Sequence, residues 1–222
     1  GWEKSRCAVG KIMVGAVIFG VMLSTLHQSS LGAVFLIAPS KMSPLWWDTK
    51  LPFHFLVSAV AMGLAMVSFE TMLSKKFLHH EVDKEIFFGL ARGLLIVLSF
   101  YLLLKLYQLF TVASPAMAVD GSVEGNMYLL EMVVGVILPI VLLSMKTIRA
   151  NVNALFAVNM VVIVGVLLNR MNVCLFSMEQ YNSWRGFTYA PSWMEFLLSL
   201  GVISVGVFLY KMSAKHLPLF SH

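Results

Sequence analysis

The sequence predicts an all-α, polytopic transmembrane bundle with six membrane-spanning helices, and three observations carry that reading. Of 222 residues, 59% are hydrophobic and only 12% are charged, with a mean hydropathy of +0.84. A soluble domain is about a quarter charged and about half apolar. Six apolar runs are long enough to cross a bilayer, which takes roughly 20 residues of helix. Basic residues are shared unevenly between alternate connections, as in membrane proteins. A soluble bundle apolar on every face is the weaker alternative.

The runs fall at about 11–37, 51–73, 86–112, 127–145, 152–172 and 192–211. The first is too long for the apolar region of a signal peptide, and no small-residue cleavage pattern closes it. The chain opens on Gly1, not methionine, so it is expected to be processed or to be a piece of something longer. The third run starts with Gly89 and Gly93, a small-xxx-small pair that would let a neighbouring helix approach closely. Pro139 is expected to kink the fourth run without breaking it, and Asn159 to hydrogen-bond between helices from the fifth. The longest connection, about 173–191, is rich in aromatics, and no linker divides the chain, so residues 1–222 read as one integral membrane domain. Trp46, Trp47, Trp184 and Trp193 fit an outer aromatic belt. The fifteen methionines read as packing or lipid-facing residues, and His79 and His80 as solvated residues of an inner loop.

Six spans place both termini on one side. That side collects Lys4, Arg6, Lys11, Lys75, Lys76, Lys84, Lys146, Arg149, Lys211 and Lys215, against Lys41, Lys50 and Arg185 opposite. The bias predicts cytoplasmic termini. It also accounts for the net charge of +5 without a nucleic-acid partner, because the basic residues form no single patch. Cys7 and Cys174 then fall on opposite sides and cannot pair; two cysteines are too few for an iron–sulfur site. No glycine-rich phosphate loop, HExxH or CxxC occurs, so no catalytic residue and no metal site are assigned.

What remains is the intramembrane polar set, since charges in a bilayer usually face the bundle interior and pair or line a pathway. Glu70 and Arg92 lie at similar depth on consecutive helices and suggest an inner ion pair. Lys105, Glu131, Arg170 and Glu195 lie near one outer level and can neutralise one another. Tyr101, Lys105 and Gln108 follow i, i+4, i+7 and form one inward stripe. These charges read either as structural pairs or as a proton path.

"STLHQSSLGAVFLIAP" (24–39) sets polar side chains into the outer half of an apolar helix. A haem would need a second axial ligand at matched depth, and His54 matches His27 poorly. His27 therefore reads as a satisfied core histidine or as part of a pocket for a lipophilic redox ligand, with Gln28, Ser29 and Ser30 supplying further donors and acceptors.

"LHQSSLG" followed by "PLWW", then "LP" and a helix ending "AMVSFE", resembles the membrane subunits of the NrfD/polysulfide-reductase family, and most closely its HybB-like branch. "YAPSWMEFLLSLG" resembles the "Y-F-P-x-W-x-E" start of that branch's last helix. Members usually have about ten helices, and these six look like the last six. The resemblance implies a subunit with no haem or iron–sulfur cluster of its own. It would bind menaquinone or ubiquinone near the outer face, beside a periplasmic four-cluster ferredoxin-like subunit and a catalytic or cytochrome subunit, in a bacterial cytoplasmic membrane. By this analogy His27, with Gln28, Ser29 and Ser30, contacts quinone. Glu70, Arg92, Lys105, Glu131, Arg170 and Glu195 serve as proton relays or buried pairs. A secondary transporter or ion channel would use the same charges, although no internal repeat or broken half-helix pair appears. A structural anchor is a third reading.

Overall fold

A computed structural model describes residues 2–78, 84–187, 189 and 191–216. The described residues are helical with short connections and contain no strand. Helix α1 covers Trp2–Val34 and runs into a 3-10 turn at Phe35–Ile37; α2 is Leu51–Leu78, α3 Lys84–Thr111 and α4 Pro115–Val119. Next come α5 (Val123–Leu130), a π-helical segment (Glu131–Ile137) and α6 (Leu138–Ser144). The short α7 (Lys146–Ala150), α8 (Val152–Cys174), α9 (Glu179–Trp184) and α10 (Trp193–His216) complete the order. Among the described residues, six segments are long and apolar enough to cross a membrane: Ile12–Ile37, Leu51–Leu73, Glu85–Thr111, Val123–Ser144, Val152–Trp184 and Trp193–Ser213. The expected spans are all present.

The chain divides into a unit from Gly1 to Tyr181 and a second from Asn182 to His222. In the first, an apolar core packs α2, α3, α6 and α8 through Ala61, Ala65, Leu94, Leu98, Leu143, Leu155, Val158 and Val162. The spacings 61/65, 94/98 and 155/158/162 each present one helical face. Toward the other end a second core gathers Leu45, Trp46, Leu51, Phe55, Tyr128, Met132 and Val173.

Turn chemistry fixes the start of the fourth span. Asp120 Oδ1 accepts from the Ser122 amide at 2.8 Å, Gly121 takes φ +77°, and the Ser122 hydroxyl caps α5 by accepting from the Gly125 amide at 3.0 Å. Such a side-chain turn substitutes for the first missing helical bonds. Hydrogen bonds from Ser122 hold the Asp120 carboxyl below its usual range.

The π-segment is where Pro139 acts. Proline has no N–H to give to the carbonyl four residues back and its ring crowds that carbonyl. One wide turn upstream absorbs both problems and keeps the span continuous. Within that turn Gly135 rests on Gly165 of α8: a Cβ built on Gly135 would meet the Gly165 Cα at 3.1 Å. The other close crossing is Gly32 against Pro52, where a Cβ would meet the Pro52 Cα at 2.7 Å. The expectation for Gly89 and Gly93 is corrected. Gly89 faces open space and Gly93 meets only the Leu64 side chain, at 3.7 Å; Ala61 and Ala65 of α2 and Ala91, Leu94 and Leu98 of α3 belong to the shared apolar core instead.

Candidate functional site: a buried carboxylate network

The polar centre of the first unit is built on Glu131, the first residue of the π-segment, which is 1% exposed. Its Oε1 accepts from Lys105 Nζ at 2.9 Å and from Asn169 Nδ2 at 2.8 Å. Its Oε2 accepts from Trp46 Nε1 at 2.9 Å and from Asn172 Nδ2 at 2.8 Å. An ionised carboxylate offers about four acceptor positions, so this one is saturated. Three separate segments converge on it. Lys105 comes from α3, Asn169 and Asn172 from α8 at i, i+3, and Trp46 from the connection between α1 and α2. Tyr101 and Tyr128 offer their rings to Lys105 Nζ at 5.9 and 5.5 Å. A cavity of about 10 Å³ lies beside the carboxylate, lined in part by Ser58, Tyr101, Glu131 and Asn169; that is the lower limit for one water.

Around this saturated centre lie buried polar groups without protein partners. They include both nitrogens of His54, Oδ2 of Asp48, both amide atoms of Gln108 and the Tyr128 hydroxyl. His54 is buried edge-on to Tyr101, with ring centroids 6.2 Å apart, and its Nε2 stands 3.9 Å from Asp48 Oδ2. That gap exceeds a direct hydrogen bond.

The expected site residues separate. Lys105 and Glu131 meet. Arg170 does not pair with a carboxylate: it donates to the Phe55 carbonyl at 3.0 Å and the Ser58 hydroxyl at 2.9 Å, with its guanidinium 3.6 Å from the Phe55 ring centroid. Glu195, in the second unit, is exposed, accepts from the Tyr189 hydroxyl at 2.6 Å and is contacted by the Ser192 amide. The bond to that carboxylate pushes the Tyr189 phenol up. Within the first unit the expected outer cluster is therefore corrected to the single pair Lys105–Glu131, with Arg170 bonded elsewhere. The inner pair is corrected as well, since Glu70 and Arg92 are both exposed and do not pair with each other, nor with any other charge among the described residues; similar depth along two helices does not put two side chains on facing sides. His27 is exposed on α1. Gln28 and Ser29 are half-buried, and the Ser30 hydroxyl donates to the His27 carbonyl at 2.8 Å. His79 and His80 lie outside the described residues.

Trp46 is also corrected from a belt residue to a buried donor. Trp184 and Trp193, at 78% and 84% exposed, remain on the surface. Asn159 is buried but makes no side-chain hydrogen bond among the described residues; Asn169 and Asn172 make the interhelical bonds instead. The spacing of "NRMN" (169–172), which places two amides on one face, was the available signal.

A family model described as "Polysulphide reductase, NrfD" matches residues 3–179. The chain belongs to the NrfD family. The match covers most of the first unit, including every residue that touches Glu131. This NrfD chain is 34% identical to a protein of Nitratidesulfovibrio vulgaris (strain Hildenborough) over 100% of its own length and 58% of the relative's. It is 27% identical, over 99% of its length and 56% of the relative's, to the "Probable Ni/Fe-hydrogenase 2 b-type cytochrome subunit" of Escherichia coli K12. That second likeness supports the HybB-like branch suggested by the motifs. The chain thus spans little more than half the length of the curated relatives it matches. No solved structure matches it.

Proposed function

We propose that this NrfD chain is part of an integral membrane subunit of a respiratory oxidoreductase complex. In this reading it exchanges electrons between a membrane quinone and a periplasmic iron–sulfur partner subunit, with accompanying proton exchange. The membrane would be the bacterial cytoplasmic membrane, with both termini of the chain inside. Family membership over residues 3–179 carries the proposal, together with a relative named as a hydrogenase subunit. The b-type cytochrome in that relative's name implies a haem. His54 does not fit as an axial ligand: it is 3% exposed and enclosed beside Tyr101 and Asp48, so its ring presents no open side to a porphyrin.

Geometry favours His27 as the group that meets a quinone. The network at Glu131 is closed, with every acceptor position filled, and offers no vacant donor or acceptor to a ligand. His27 is open, about two turns before the end of α1, on a helix whose neighbouring Gln28 and Ser29 have no hydrogen-bond partner among the described residues. An imidazole can give a hydrogen bond to a quinone oxygen or take a proton from a quinol. The saturated Glu131 also weighs against a transporter, because an ion-binding carboxylate must keep acceptor positions free for its cargo. Its role is to hold α3, the π-segment and α8 together beside the buried groups that could conduct protons.

The test uses the full-length protein in its complex. His27→Leu should leave assembly intact and impair quinone reduction or oxidation. Wild-type turnover with quinone in an assembled variant would overturn the assignment.

A further inference from the structure

We propose that a cleft at one membrane boundary of the first unit binds the phosphate headgroup of an anionic phospholipid. The cleft has a volume of about 220 Å³ and is lined by Phe88, Arg92, Lys146, Arg149 and Ala150. Three of its five lining residues are cations, and among the described residues none of them pairs with a carboxylate. Arg149 Nε is buried without a partner. Converging like charges repel, and an unpaired buried guanidinium N–H is costly. An anion in the cleft removes both penalties.

Position identifies the anion's source. Lys146 and Arg149 belong to α7, between the fourth span, which ends at Ser144, and the fifth, which begins at Val152. Arg92 lies about two turns inside the third span, which starts at Glu85, and its stem can carry the guanidinium outward. The three charges therefore gather where headgroups lie. A guanidinium fork suits a phosphodiester's paired oxygens, and basic pockets between transmembrane helices are suited to anionic headgroups. Directly below the charges the surface turns apolar. Ile96, one turn deeper on the Arg92 face, is 69% exposed, and Met145, beside Lys146, is 51% exposed. A headgroup with an acyl chain attached matches that sequence of surfaces; a free phosphate uses only its upper part.

The test places the full-length protein, in its complex, in nanodiscs of phosphatidylcholine with and without phosphatidylglycerol, and counts retained lipids by native mass spectrometry after extraction. The wild type should retain phosphatidylglycerol in preference to phosphatidylcholine. Arg92→Gln/Arg149→Gln should lower that retention by at least about five-fold, the weight of one basic residue at a membrane surface. Lys41→Gln, on the opposite side, should leave it unchanged. If the double variant fails to assemble, the exposed Lys146→Gln serves in its place and should lower retention by a few-fold. Equal retention by the wild type and the folded variant overturns the proposal. So does displacement of phosphatidylglycerol by millimolar inorganic phosphate, which would assign the cleft to the free anion.

Discussion

Replacing Lys105 by methionine removes one of the four donors on Glu131 and, among the described residues, the only cation within ion-pair distance of it. Breaking a buried ion pair costs roughly 3–5 kcal/mol because the remaining charge is left uncompensated. Three donors stay on Glu131, each charge-assisted bond contributing about 1.5–3 kcal/mol, so Lys105→Met should fall at the lower end. Glu131→Gln should cost more, although it is nearly isosteric. Lys105 is then buried against a neutral amide. The new NH2 must also face either the Lys105 and Asn169 donors or the Trp46 and Asn172 donors. Asn172 could turn its Oδ1 toward the amide, but it would then lose its 3.2 Å bond to the Met127 carbonyl. The double variant Lys105→Met/Glu131→Gln removes both charges, and the two single losses should exceed the double loss by on the order of 2 kcal/mol. Thermal unfolding of the full-length protein in detergent, followed together with its yield in the membrane, reads this as single variants lowered by roughly 10 °C and a partly restored double. Additive losses would refute the reasoning.

Gly165→Ala should destabilise the protein by about 1–3 kcal/mol, since its Cβ would be driven into the Gly135 backbone. Gly89→Ala, which meets nothing within 4 Å, should be neutral or slightly stabilising, and a melting comparison of the two locates the close helix crossing. Trp46→Phe deletes one donor on Oε2 while Asn172 remains, so a loss of about 1.5–3 kcal/mol is expected; an unchanged melting temperature would show that the indole N–H is dispensable. For orientation, Asp120→Cys in the exposed turn before α5 should react with a membrane-impermeant thiol reagent added to intact cells, with Cys7 protected until the membrane is opened. The reverse pattern would invert the proposed topology. Native Cys174 is a free, exposed thiol that should be replaced by serine first.

How much of this was legible in the sequence differs between the fold and the site. Length and apolarity of each run are local properties, so all six spans could be read off the sequence, although the fifth was expected to end at 172 and continues to Trp184. The inward stripe of Tyr101, Lys105 and Gln108 was equally legible, because i, i+4, i+7 spacing fixes a face within one helix, and all three are buried. Pairing is not a local property. Depth along the chain put Glu70 level with Arg92, and Arg170 level with Lys105 and Glu131, but the rotation of each helix about its own axis decides which side chains meet. Only the tertiary structure sets those rotations. It does so through two backbone crossings, Gly32 on Pro52 and Gly135 on Gly165, and through the wide turn that Pro139 requires. That wide turn begins at Glu131, the carboxylate on which Lys105, Asn169, Asn172 and a tryptophan from a connecting segment converge. The sequence by itself determined the spans and the inward stripe of α3; the packing of helices against one another decided which of the other polar residues were buried and which became partners.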